Sequence, residues 1–251
     1  MKKIILASFI LLGAFSSQAQ LKWSNNSTQT LEKGRKEIGL FAPLKYGPKD
    51  SLEISVYPIY FFIIPHVGLK KHWKSIGSWA FGTKHNIAYP TLLYKVISRR
   101  GTGGVLPEKA KIPQLIKLNN ALLFGKELNL NHTLTLKVGL DLTLSLGEGD
   151  FPEIEYHIVY PRTYSYNNLI TPYLGGALTG QLYRKINYSY DLTTFFFAKA
   201  YKGVNLENNL KFQWNKSNRF SVRAGMLFTS GTYPFGKGTK LFPMFDLMFG
   251  F

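Results

Sequence analysis

The chain has 251 residues and no cysteine, so it cannot form a disulfide framework, and its formal net charge is +17 at pH 7. The basic residues are scattered rather than clustered, so nucleic acid is not an expected partner. Mean hydropathy is −0.07. Beyond the N-terminus no apolar run approaches the ~20 residues that a spanning helix needs, which excludes a helical membrane protein.

The first predicted element is a secretory signal peptide over residues 1–19. Lys2 and Lys3 precede an apolar run from Ile4 to Leu12, and Ser17-Gln18-Ala19 matches a small-residue cleavage site. This run is too short to span a bilayer as a helix. Residues 20–251 are then expected to form a single domain, which begins with a short polar lead-in over residues 20–34.

Apolar and polar residues alternate over most of the remaining chain, which is typical of β-strands with one apolar face. About twelve strands are predicted, an even number as in bacterial single-chain barrels, with ten or fourteen left open because the pattern is weak over residues 66–84. In chain order they are residues 36–46, 51–64, 66–73, 77–84, 87–97, 113–125, 132–146, 169–184, 189–201, 204–215, 218–230 and 241–251.

The clearest strand runs from His132 to Leu146. Its even-numbered positions from Leu134 onward are apolar, and its odd-numbered positions are small or polar. The strands of soluble sandwiches average about five or six residues, so this strand is too long for that class. The pattern predicts an all-β fold, an antiparallel transmembrane β-barrel with apolar side chains towards lipid and polar ones towards the lumen.

The connections between strands fall into long loops and short turns. Residues 98–111 and 147–168 are long and irregular, and we assign them to the extracellular side. The turns at residues 129–131 and 215–219 are short and fall on the periplasmic side. Gly101-Thr102-Gly103-Gly104 lacks the Lys-Ser/Thr ending of a phosphate-binding loop, so it is interpreted as part of a surface loop.

The last strand ends on an apolar face formed by Phe251, Phe249, Leu247 and Phe245. With this strand, the signal peptide and the alternating pattern, the chain resembles Gram-negative outer-membrane β-barrel proteins. The hairpin around residues 44–53 is similar to one in porin-like and uncharacterised transporter-type barrels. The resemblance implies that Phe245, Leu247, Phe249 and Phe251 act as the signal read by the barrel assembly machinery. It also implies an outer-membrane location in contact with lipid and lipopolysaccharide.

Charged residues on the lumen parity are the candidate functional site. Pairing the last three strands about their turns brings Lys211 close to Arg223, and Arg223 close to Asp246. Lys137 and Asp141 share the inward parity of the clearest strand. Two interpretations stay open: a salt-bridge network that fills a narrow barrel, or a charged constriction that selects anions.

The function favoured by this reasoning is a passive, porin-like channel for small solutes. One alternative is a structural or adhesion barrel that binds a partner through loops 98–111 and 147–168. Another is an outer-membrane enzyme that modifies lipids, which needs a nucleophile, a base and an orienting group. No catalytic set, metal site or cofactor site is predicted, because no such grouping surrounds the five histidines, His66, His72, His85, His132 and His157.

Overall fold

Twelve antiparallel strands form one closed barrel in which each strand pairs with its sequence neighbours and β1 pairs with β12. The strands are β1 (Lys36–Gly39), β2 (Leu44–Lys49), β3 (Leu52–Val56), β4 (His66–Ile76), β5 (Trp79–Ala88), β6 (Gln114–Asn129), β7 (His132–Leu146), β8 (Ile170–Tyr183), β9 (Ile186–Phe197), β10 (Gly203–Asn215), β11 (Phe220–Tyr233) and β12 (Gly236–Gly250).

The computed structural model describes residues 23–24, 27–101, 103–129, 131–197, 203–234 and 236–251. The predicted signal peptide, residues 1–19, lies outside the described residues. Three short α-helices occur in the connections: α1 (Pro58–Phe61), α2 (Thr91–Ile97) and α3 (Tyr160–Thr163). No helix in the described part of the chain has both the length and the apolar character needed to cross a bilayer.

The predicted number of strands is confirmed, but two errors cancel within it. Residues 36–46 were expected to form one strand and instead form β1 and β2, separated by residues 40–43. Residues 87–97 were expected to form a strand and instead contain the end of β5 followed by α2. Proline explains both differences, because Pro43 and Pro90 cannot donate a backbone hydrogen bond to a neighbouring strand.

The predicted strand over residues 51–64 is also shorter than expected. It ends at Val56, and Pro58 occupies the first turn of α1. Proline suits that position, since the first N–H groups of a helix have no intrahelical partner. The three strands β1, β2 and β3 therefore have only four to six residues, whereas β4 to β12 have ten to sixteen.

The two faces of the wall divide as the alternation predicts. In β7, Thr135, Asp141 and Thr143 are buried towards the lumen, while Leu136 and Leu144 are exposed on the outside. In β12, the outer face carries Leu241, Phe245, Phe249 and, just beyond the strand, Phe251, which are 58%, 55%, 38% and 73% exposed. The barrel thus has an apolar exterior and a polar interior, the reverse of a soluble protein.

Ion pairs line the interior of the barrel. Five buried carboxylates each lie within 4.0 Å of a cation: Glu37 with Arg35 at 2.9 Å, Glu53 with Lys70 at 3.3 Å and Lys45 at 3.7 Å, Asp141 with Lys117 at 2.7 Å, Asp191 with Lys137 at 2.7 Å, and Glu207 with Arg162 at 2.5 Å. Such pairs satisfy charges that would otherwise be costly to hold in a narrow interior.

Glu53 of β3 links two neighbouring strands, because it faces Lys45 and Lys70, and it also accepts the Leu31 N–H at 3.3 Å. Glu53→Gln should leave Lys45 and Lys70 without a counter-charge and lower the free energy of unfolding by about 3–5 kcal/mol. Urea titration in detergent micelles measures this change. Glu108→Gln is the matched control, because its partner Arg100 is 85% exposed, and it should change stability by less than about 1 kcal/mol. Equal effects of the two variants would contradict the prediction.

Candidate functional site in the lumen

The β7–β8 loop, residues 147–169, folds into the barrel. Tyr160 and Tyr164 are almost fully buried, and Tyr164 packs on Phe197 of β9 with ring centroids 4.0 Å apart. Two strands along the sheet, the Ser165 backbone carbonyl accepts a hydrogen bond from Thr143 of β7 at 2.7 Å. The loop was predicted on the extracellular side; its central residues occupy the lumen and narrow it.

An ion pair fixes the position of this loop. Arg162 pairs with Glu207 of β10, donating from Nε at 2.8 Å and from Nη2 at 2.5 Å. The Glu207 carboxylate raises the pKa of Arg162, so the guanidinium stays charged. Lys117 of β6 donates to the Arg162 carbonyl and to Ser165 Oγ, at 3.2 and 2.5 Å. The loop therefore contacts three different strands through polar groups.

The β5–β6 loop, residues 89–113, packs on the β7–β8 loop. Tyr94 of α2 is fully buried, and its ring meets Phe151 at 4.8 Å and Tyr166 at 5.9 Å. Leu106 and Ile154 join the same apolar cluster. The end of the barrel that carries these long connections, here called the loop end, is thus partly covered.

The opposite end carries the short connections and is here called the turn end. An N-terminal segment, of which residues 23–24 and 27–35 are described, lies inside it. Trp23 Nε1 donates to the Ser217 carbonyl at 3.0 Å, and the Ser24 N–H contacts both Glu37 oxygens at 3.1 Å. This stretch was predicted to be an unpatterned lead-in; it lies against the inner wall.

The wall makes room for this segment at Gly125 of β6. A Cβ at this position would lie 2.6 Å from Thr28 Oγ1, closer than Cβ atoms approach other atoms, and 3.1 Å from Thr28 Cγ2. Thr28 is 1% exposed. The absence of a side chain at Gly125 is therefore what admits the segment.

A polar cavity of about 200 Å³ lies beside the segment at the turn end. A cavity of this size has room for several water molecules or one small solute. Its cations are Lys45, Lys211 and Arg223, and the carboxylate on its lining is Glu127. The remaining lining groups are Trp23, Ser24, Gln29, Asn129, Asn131, Thr133, Thr179, Gly180, Asn187, Tyr188, Ser189 and Gln213.

The predicted group Lys211, Arg223 and Asp246 lies on the inner wall at this level. Arg223 is directly opposite Asp246 in the β11–β12 register, and Lys211 is opposite Gly225 in the β10–β11 register. Arg223 donates to Gln213 Oε1 at 2.7 Å, and Asp246 accepts the Phe41 N–H at 3.1 Å. Over the described residues, no ion pair within 4.0 Å joins the three charges to one another.

Lys137 and Asp141, predicted on the same face of β7, form ion pairs with different neighbours. Lys137 donates to both oxygens of Asp191 in β9, at 2.7 and 2.8 Å, and to Thr193 at 3.1 Å. Asp141 pairs with Lys117 in β6 at 2.7 Å. The strand parity predicted their direction, but their partners depend on the strand register.

Sequence reasoning missed several charged groups of the lumen, among them Lys70, Lys117 and Asp191 of the ion pairs. Lys84 lies opposite Lys70 and Ala121, both buried on the inner face. Lys84, Lys211 and Arg223 are lumen cations with no carboxylate within 4.0 Å in the described part of the chain. Lys45 and the Arg162–Glu207 pair were also missed. The alternation along β5 and β10 could have predicted that Lys84 and Glu207 point into the lumen. No sequence pattern predicts that Arg162, a loop residue, lies inside the barrel.

The histidines do not assemble a hydrolytic site among the described residues. His85 contacts Asn120 Oδ1 at 2.7 Å on the outer face, but no hydroxyl contacts its other nitrogen. His72 lies 3.3 Å from Ser75 Oγ, but its buried Nδ1 has no partner to orient the ring. A nucleophile needs both a base and an orienting group, and neither His85 nor His72 brings these two contacts together.

Neither a protein-family model nor a curated protein sequence matches the chain. Three crystal structures of other proteins are similar to it. OccAB2 of Acinetobacter baumannii has 9% identity and a TM-score of 0.43, covering 83% of this chain and 53% of its own. The outer membrane protein opdK of Pseudomonas aeruginosa has 9% identity and a TM-score of 0.40, covering 83% and 52%. OccK5 (OpdH) of the same species has 12% identity and a TM-score of 0.40, covering 86% and 57%.

The chain therefore spans about half the length of the proteins to which it is similar. The barrel fold is established by the closed sheet itself, in which every strand has two neighbours.

Proposed function

We propose that this chain is an outer-membrane barrel that acts as a passive channel for small solutes and favours anions. The observation that carries the proposal is the surplus of lumen cations: Lys84, Lys211 and Arg223 have no carboxylate within 4.0 Å among the described residues. A ring or ladder of basic side chains in a narrow passage favours anions over cations.

The membrane location is supported by the outer surface. Long strands with exposed Leu and Phe on one parity match the apolar band of a transmembrane barrel. Residues 20–251 form the single barrel domain in this proposal, and the residues before them act as the export signal. The four residues Phe245, Leu247, Phe249 and Phe251 are recognised by the barrel assembly machinery, and the exterior contacts lipid and lipopolysaccharide. The turn end then faces the periplasm.

The passage is narrow. The β7–β8 loop occupies the lumen from the loop end, and the N-terminal segment occupies it from the turn end. Only small solutes fit between them, since the cavity at the turn end holds about 200 Å³. The burial of Tyr160 and Tyr164 also leaves less of the β7–β8 loop available to a partner, which disfavours the adhesion alternative.

The test is a reversal-potential measurement on the purified protein in a planar bilayer under a KCl gradient. We expect chloride to permeate more readily than potassium. Liposome swelling with a small carboxylate and a neutral solute of equal size supplies a second readout. A barrel that conducts no ions and swells no liposomes, or one that prefers potassium, would overturn the proposal.

A further inference from the structure

The barrel closes over a short distance. β1 pairs with β12 at Glu37 to Gly39, opposite Gly250 to Met248. Lys36 and Phe251 extend this pairing by exchanging two backbone hydrogen bonds at 3.0 and 2.9 Å, and the Leu40 N–H donates to the Leu247 carbonyl at 3.2 Å. On its other side, β12 pairs with β11 from Gly236 to Phe249. Residues 236–246 of β12 consequently have no strand on the β1 side among the described residues.

The sequence of β12 suits an unpaired edge. The Phe251 N–H and the Leu247 carbonyl bond to the β1 side, while the Gly250 N–H bonds to the β11 side, so odd-numbered residues direct their backbone groups to β1. Pro243 has odd parity and has no N–H to leave unpaired. Proline is found in sheets at such edges. The gap between the upper part of β12 and the short strands β1 to β3 is here called the notch.

Apolar connections follow the short strands that border the notch, and the first of them contacts β12, since the Phe41 N–H donates to Asp246. β1 and β2 are joined by residues 40–43, and β3 and β4 by residues 57–65, which include α1. Phe41, Ile59 and Phe62 are 58%, 55% and 85% exposed. An open sheet edge is tolerated at membrane depth only where protein covers it or where it borders a cavity. Short apolar connections, unlike paired strands, can separate without breaking a ladder of hydrogen bonds.

The end of the notch next to the β1–β12 pairing, here called its floor, lies at the level of the lumen cations. Asp246 is the first residue of β12 above the short β1 pairing, and Arg223 lies opposite it in β11. Arg223 also lines the turn-end cavity together with Lys211. The two carboxylates nearby are engaged: Asp246 accepts the Phe41 N–H at 3.1 Å, and Glu37 pairs with Arg35 at 2.9 Å. The notch therefore connects the outer apolar surface with cations that have no carboxylate partner.

We propose that the notch is a lateral binding site for a single-chain amphiphile with a carboxylate head, such as a fatty acid anion. The head contacts Arg223 and Lys211 inside the barrel, and the chain passes along the free edge of β12, beside residues 40–43, into the bilayer. This inference rests on the proposed membrane location, and it does not require that the barrel conduct ions.

Trp23 offers an internal probe, because it lines the same cavity as Arg223 and is 8% exposed. The other three tryptophans, Trp73, Trp79 and Trp214, are exposed on the exterior and can be replaced by phenylalanine. In lipid nanodiscs, brominated stearate should quench Trp23 fluorescence saturably. Its methyl ester and a brominated two-chain phosphatidylcholine should not, since the first lacks the charged head and the second is too wide.

Two variants of this single-tryptophan protein test the head and the route. Arg223→Gln should weaken the apparent affinity for brominated stearate at least about tenfold, or about 1.4 kcal/mol. Ala42→Phe should have a similar effect by filling the floor of the notch, where a Cβ on Gly39 would lie 2.8 Å from Ala42 Cβ. Ala224→Phe, which faces lipid on β11, is the matched control and should leave quenching unchanged. Ala42→Leu replaces Ala42→Phe if the larger side chain prevents folding.

Absent quenching, equal quenching by the methyl ester, or quenching that Ala42→Phe leaves unchanged would each overturn the lateral site. Ion conductance of the same preparation separates this inference from the proposed channel. A conducting barrel with unquenched Trp23 removes the lateral site alone. A quenched but non-conducting barrel supports the lateral site and removes the channel.

Discussion

Charge reversal at both Lys211 and Arg223, as Lys211→Glu with Arg223→Glu, should invert the ion selectivity of the barrel from anions to cations. A unit charge ~4 Å from an ion in water changes its energy by about 1 kcal/mol, and reversal doubles that change at each site. Salt screening lowers the sum. The permeability ratio of chloride to potassium should still fall by at least about tenfold, which corresponds to about 1.4 kcal/mol.

The measurement is the reversal potential under a KCl gradient, repeated at low and high salt. Lys237→Glu with Lys240→Glu is the matched control, because it changes the net charge equally on exposed residues at the loop end. The control should leave selectivity nearly unchanged at high salt. Equal shifts for the two double variants would show that overall charge, rather than the lumen cations, governs selectivity.

Removal of the lumen portion of the β7–β8 loop should enlarge the passage. We expect that replacing residues 156–166 by a short Gly-Ser linker will raise the single-channel conductance severalfold and admit larger solutes in liposome swelling. The physical reason is that Tyr160, Tyr164 and Arg162 occupy space between the walls of β7, β9 and β10. The strands themselves do not depend on this segment for their pairing.

A milder variant addresses the same loop without shortening it. Tyr160→Ala with Tyr164→Ala removes two buried rings, each at a cost of about 3–5 kcal/mol to the packing of the loop, and should produce frequent transitions to a larger conductance. Tyr156→Ala is the control, since Tyr156 is 61% exposed. An unchanged conductance in both the deletion and the double-alanine variant would mean that the loop does not limit the passage.

The lumen charges illustrate how far sequence reasoning reached. Parity along each strand placed Lys137, Asp141, Lys211, Arg223 and Asp246 on the inner face, because side-chain direction alternates with every residue. Pairing was harder. Arg223 was predicted beside Asp246 and does lie opposite it in register, but its hydrogen bonds go to Gln213. Hydrogen-bond choice depends on side-chain reach between strands, which a single strand pattern does not contain.

The early strands show the opposite case. The alternation around residues 36–64 predicted two long strands, whereas the chain forms three short ones and a helical turn. Pro43 and Pro58 were visible, but their effect depends on whether a neighbouring strand requires an N–H at that position. The prolines of β8 and β12, Pro172 and Pro243, are tolerated inside strands. Whether a proline ends a strand or lies inside it depends on whether the neighbouring strand needs its N–H group. That neighbour is defined only when the barrel closes.

The amino-acid sequence alone determined the all-β class, the two faces of the wall and the apolar exterior, because a period of two is a local property of each strand. The tertiary structure decided which lumen cations lack a carboxylate partner. It also decided that the β7–β8 loop and the N-terminal segment enter the lumen, and that strands β1 to β3 are shorter than the other nine. These features arise where residues distant in sequence meet across the barrel. Their energies depend on register and closure, which no local pattern encodes.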